Sequence, residues 1–145
     1  MESLRKQAKF LRKYTPALSA RTEELLLFYR KRGEAHLINN LTYALHEGRN
    51  QEVIQPYLSM LPGLIEVAIG IYQAVGVQKN HLAGCFFRGA QIFLEAGWIR
   101  GANELIDESI ALWEEMVASE DGERYRNNLE GARELKVRIE ALLRA

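Results

Sequence analysis

The sequence predicts an all-α protein of about seven to eight antiparallel helices. Three observations predict it. Almost every segment repeats its apolar residues at three/four spacing, and no run alternates as a half-buried strand does. Glycines, prolines and hydroxyl caps punctuate that pattern and leave only short turns between elements. The packing positions of several helices also recur at one fixed offset.

In chain order, residues 2–14 place Leu4, Ala8 and Leu11 on one helical face and Arg5, Lys9 and Arg12 on another. Thr15-Pro16 starts a second helix, because a hydroxyl caps it and proline in the first turn forfeits no hydrogen bond. Gly33 is expected to end that helix at about Arg32. A third runs from about Ala35 to Glu47 and stops at Gly48. Asn50 caps a fourth over roughly 51–61, which Pro56 kinks or shortens. Pro62 opens a fifth over roughly 62–76. A sixth covers about 80–96 and ends at Gly97. The seventh, about 98–118, carries the stripe Trp98, Ala102, Leu105, Ile106, Ile110, Trp113 and Met116, and the last spans about 122–144.

With 145 residues, 48% hydrophobic and 26% charged, the chain suits one globular domain with one core. Net charge is zero but uneven: residues 1–50 hold ten Lys/Arg against five Asp/Glu, and residues 101–145 hold six against eleven. Such a dipole steers partners or favours head-to-tail contact between copies, so a homodimer is admitted. The single cysteine, Cys85, excludes an internal disulfide, reads as a small buried hydrophobe and suits a reducing cytoplasm. No apolar signal core is seen at the N-terminus. A membrane span is not expected, because residues 57–77, the most apolar stretch, still contain Pro62, Glu66, Gln73 and three glycines.

Eight helices with short turns leave two architectures open, a closed bundle and a stacked solenoid. Sliding the chain by 34 residues aligns Leu37, Ile71 and Leu105, then Ile38, Tyr72 and Ile106. One turn later Leu41, Val75 and Ser109 fall together, and Ala68 and Gly63 align with Ala102 and Gly97. These positions mark the second helix of three helix pairs, about 16–47, 50–77 and 80–118.

The stretch FFRGAQIFLEAGWIRGANELIDESIALW (86–113) resembles a tetratricopeptide repeat, a 34-residue helix–turn–helix. Ala90, Phe93, Gly97, Ala102, Ile106 and Ser109 fill the small and large positions of that motif in order, whereas its closing proline is missing, with Glu114 near its place. The resemblance implies a right-handed superhelix with residues 122–144 as the capping helix. It also implies that a peptide or partner helix binds the concave side. Of the residues on that side, Glu23, Tyr57, Phe87, Arg88 and Gln91 are the ones it would expose. The carboxylate clamp of the family, built from lysines and asparagines, is matched only by Asn50.

Chemistry is otherwise sparse. No nucleophile motif, phosphate loop or metal-ligand spacing is present, so no enzyme activity, cofactor or metal is expected. His36, Asn40 and Tyr43 share one face, and Glu104, Asp107, Glu108 and Glu115 read as a solvated stripe. Glu66, the one acid in GLIEVAIGIYQAVGV, lies nearly level with Arg88 across the predicted hairpin. An ion pair between them and plain exposure both stay open. The expected function is a non-enzymatic protein–protein interaction or scaffold module. The alternatives are a bundle holding a small ligand through His36, Asn40, Glu66 and Arg88, and a nucleic-acid binder using Arg5, Lys9 and Arg12.

Overall fold

In the computed structural model, residues 16–119 and 122–145 are described, together with the side chains of Leu27 and of residues 30–119 and 122–145. The helix predicted over residues 2–14 lies outside them. Among the described residues there are five α-helices and no strand: α1 (Pro16–Glu47), α2 (Leu61–Val75), α3 (Lys79–Glu95), α4 (Ile99–Val117) and α5 (Arg126–Arg144). Short 3₁₀ segments, Glu52–Met60 and Gly122–Tyr125, precede α2 and α5. Each α-helix packs mainly on the next, and α3 also touches α1 and α5.

Two expectations are corrected. Gly33 does not end a helix, and α1 is one element of 32 residues, about 48 Å long. The pair predicted over 16–47 is therefore not a hairpin. A glycine inside a helix costs about 1 kcal/mol relative to alanine. Beyond it, Ala35, Thr42 and His46 are buried with the helical phase unbroken, and that burial outweighs the cost. Leu37 and Leu41 consequently sit outside, at 70% and 47% exposure, and are not equivalents of Leu105 and Ser109. The predicted helix at 51–61 is the 3₁₀ segment around Pro56, with no fully buried residue. Proline has no N–H to give and its ring clashes with the carbonyl four residues back, so the wider α-turn cannot form there.

The boundaries of α2, α3 and α4 fall within a residue of where the sequence places them, whereas the predicted start of the last helix at 122 is a 3₁₀ segment and α5 begins at Arg126. Pro62 occupies the first turn of α2, and Gly76 closes it at φ 71°. At the end of α3, Gly97 takes φ 84°, and Trp98 N–H donates to Phe93 O at 2.8 Å while Gly97 N–H donates to Leu94 O at 3.1 Å. The Trp98 ring stacks edge-on against Phe93 at 5.2 Å, the apolar contact that accompanies this kind of helix end. A Cβ at Gly122 would overlap the carbonyl of Val117, so only glycine fits before α5.

The core runs through all five α-helices, including Ile65 and Tyr72 of α2, Phe86 and Ala90 of α3, Ile106 and Trp113 of α4, and Leu135 and Ile139 of α5. The stretch Glu52–Val75 meets the length and hydropathy of a membrane span, which the sequence reading did not expect. Its α2 part buries Leu61, Ile65, Ala68, Ile69 and Tyr72 against neighbouring helices. A core helix has the same composition.

Candidate functional site

The site candidates gather around α3, because its faces meet α1, α2, α4 and α5. Gly89 is wedged between α2 and α4: a Cβ there would lie 3.1 Å from Leu105 and 3.4 Å from both Ile65 and Ile69. One residue earlier, a turn of about 100° aims Arg88 at α1 instead.

At that junction His46 is 1% exposed. Its Nε2 lies 2.9 Å from Glu95 Oε2, and Arg88 Nη1 donates to its Nδ1. A guanidinium only donates, so Nδ1 is the acceptor and Nε2–H the donor to Glu95. Arg49 Nε is 3.1 Å from the other oxygen of Glu95, and its Nη1 donates to His46 O at 2.9 Å. Arg88 Nη1 also pairs with Glu47 at 2.9 Å, and its guanidinium lies 4.2 Å over the Tyr43 ring. Burial holds the His46 pKa below its ordinary value. Glu95 opposes that shift, and Arg88 and Arg49 reinforce it.

A second cluster joins α1, α2 and α3. Tyr72 Oη and His36 Nδ1 are 2.7 Å apart, and the His36 and His81 rings meet edge-on at 5.6 Å. Cys85 Sγ–H donates to Asn39 Oδ1 at 3.5 Å. Burial pushes the Cys85 thiol up to about 12, which removes the thiolate a nucleophile needs. Burial first, then His81 and Arg32, lowers His36. No group of three or more His, Cys, Asp or Glu side chains is placed to hold a metal among the described residues.

Two hollows flank α3. One, about 570 Å³, lies between its C-terminal end, the 3₁₀ segment and the start of α2. Leu58, Leu61, Pro62, Ile92 and the half-exposed Trp98 line it, with Arg49, Gln55 and Glu95 among its polar groups. The other, about 300 Å³, is formed by Gly84 and Phe87 of α3, Trp113 of α4, and Asn127, Asn128 and Gly131 of α5. One turn beyond Phe87, the Oε1 of Gln91 is buried without a hydrogen-bond partner.

Of the residues predicted to bind a partner, Phe87 lines the smaller hollow and Gln91 follows on the same helix. Arg88 is engaged with α1, and Tyr57 is half-exposed on the 3₁₀ segment, which does not pack on α3. The Glu23 side chain and the basic residues Arg5, Lys9 and Arg12 lie outside the description. The Glu66–Arg88 ion pair is not formed: Glu66 is exposed and Arg88 pairs with Glu47. Their heights along the hairpin were read from the sequence, but α2 packs on the Gly89 side of α3. Of the ligand set His36, Asn40, Glu66 and Arg88, His36 is bonded to Tyr72 and Arg88 pairs with Glu47. Neither hollow is lined by His36, Asn40, Glu66 or Arg88.

Sequence reasoning missed His46, Glu95, Arg49, Asn39, Trp98, Asn127 and Asn128. A signal existed for His46: Ala35, Thr42 and His46 fall at i, i+7 and i+11, on one face. Nothing local marked Glu95 as its partner, 49 residues on. Among known protein families, characterised proteins and solved structures, no match to this chain is found.

Proposed function

We propose that the protein is a non-enzymatic interaction module that receives a peptide or partner helix on the α5-facing side of α3. The observation that carries this reading is the hollow where Phe87 and Trp113 meet the exposed Asn127 and Asn128. Apolar rings offer an anchor point, and side-chain amides offer hydrogen bonds to a partner's backbone. A single tetratricopeptide-like hairpin, α3–α4, suits this reading. Ala90, Phe93, Ala102, Ile106 and Ser109 are all buried in the α3–α4 hairpin, and α5 covers its end. The single, buried thiol suits a reducing cytoplasm.

The test compares capture by the wild type with capture by Phe87→Ala and by Asn127→Ala/Asn128→Ala. Asn127 and Asn128 are exposed, so the double variant leaves the fold intact by circular dichroism. Loss of the same captured partner in both supports the surface. If both variants retain every partner, the assignment is wrong.

A second reading is favoured by the larger hollow. Its volume of about 570 Å³ falls in the range of small-molecule sites, and Trp98 stands half-exposed at its wall. Native mass spectrometry of the purified protein would reveal a retained ligand, and Trp98→Ala would abolish the retention.

A further inference from the structure

We propose that the α1–α3 junction is a proton-operated latch, closed while His46 is neutral and released when its Nδ1 takes a proton. The closed geometry uses both ring nitrogens in fixed roles: Nδ1 accepts from Arg88, and Nε2–H donates to Glu95. A proton on Nδ1 turns an acceptor into a donor facing a guanidinium that has only donors. Two positive groups then share a site where His46 has 1% of its surface exposed. Arg88 has a ready alternative in Glu47, already 2.9 Å away and 53% exposed, so it can leave the imidazole without losing its counter-charge.

The charged surroundings are Glu95 and Arg88 on α3, with Glu47 and Arg49 on the same stretch of chain as His46. On the other elements packed against α1, Glu66 and Glu52 are exposed and Tyr72 is bonded to His36. Only Glu95 favours the imidazolium directly, and it is shared with Arg49. Burial and the two arginines outweigh it. This inference concerns the junction and does not depend on what the α5-facing surface binds.

The test follows the full chain from about pH 8 to about pH 5, the span in which an imidazole titrates. Imidazole NMR signals give the His46 midpoint, and amide hydrogen exchange gives local opening. In the open junction His46 regains its ordinary value near 6.5. Protection in the second half of α1 should therefore begin to fall there, tenfold per pH unit, and level off at the His46 midpoint. Amides of α4 and α5 should keep their protection. His46→Gln supplies a neutral acceptor and donor, and should reduce the pH slope in α1 to the part that His36, also held below its ordinary value, contributes. Flat protection in wild-type α1, or an unchanged slope in His46→Gln, would overturn the latch. If His46→Gln does not fold, His36→Gln decides in its place: the slope at residues 42–47 should survive it, and its loss there would overturn the latch. A loss shared equally by α4 and α5, or one that continues below the His46 midpoint, is global unfolding and rejects the proposal.

Discussion

The two ends of the helical array are held together by different chemistry. In the α3–α4–α5 half, Ala90, Ala102, Ile106, Ala132 and Ile139 are at 0% exposure, and small residues let the helices approach. Its one buried hydroxyl, Ser109, donates to Ala83 O at 2.9 Å. The α1 side of α3 instead buries Thr42 and His46 and relies on the hydrogen bonds that His46 makes with Arg88 and Glu95, Tyr72 makes with His36, and Cys85 donates to Asn39. An apolar contact is non-directional and tolerates pH. A buried polar network is directional, and stable only while every donor faces an acceptor. The first half should therefore respond to lost volume and the second to altered protonation.

Mutations graded by size sharpen that contrast. The largest effect is expected for Ile106→Ala, which opens a cavity in the tight half and should cost about 3 kcal/mol in denaturant unfolding. A loss under about 1 kcal/mol would mean that half is loosely packed. His46→Leu keeps bulk but deletes the hydrogen bonds to Arg88 and Glu95, which retain Glu47 and Arg49, and should cost about 2 kcal/mol while leaving His36 as the pH-sensitive group of the α1 side. Tyr72→Phe deletes the hydroxyl that meets His36 and Asn39 and should cost about 1 kcal/mol. Stability itself should be level between about pH 6.5 and the ordinary thiol range, decline below about pH 6.5, and decline again in alkali, where the unfolded chain gives up the Cys85 proton that the folded chain keeps. His36 and His46 are both held below their ordinary value in the folded chain, so the unfolded chain binds more protons below about pH 6.5. A stability that rose on acidification through that lower range would contradict this sign. The smallest effect is expected for Glu66→Gln, within about 0.5 kcal/mol, because the carboxylate is exposed.

Much of the tight half was legible in the sequence. Gly97 ends α3 where it is placed, as Pro62 opens α2, and Ala90, Phe93, Ala102, Ile106 and Ser109 are all buried. Those signals are local, since spacing along one helix states which face turns inward. The α1 side was not legible for the opposite reason. Gly33 looks like a stop signal until the burial of residues 35–47 is weighed against it. His46 and Glu95 meet across 49 residues, and no pattern on either helix encodes that meeting. Height along a hairpin can be counted from sequence, but azimuth depends on which neighbour packs where. That is why Glu66 and Arg88 were read as level yet stand on different sides.

The contact between Cys85 and Asn39 has a kinetic consequence. Cys85 is the only thiol, 2% exposed, and it sits on α3 against α1. An alkylating reagent reaches it when that burial is lost, so with reagent in excess, where reaction outpaces reclosing, the labelling rate reads how often the contact opens. The molecule thus carries its own clock for motion at the polar side. That clock is silent about α4 and α5, and it needs no introduced probe to be read.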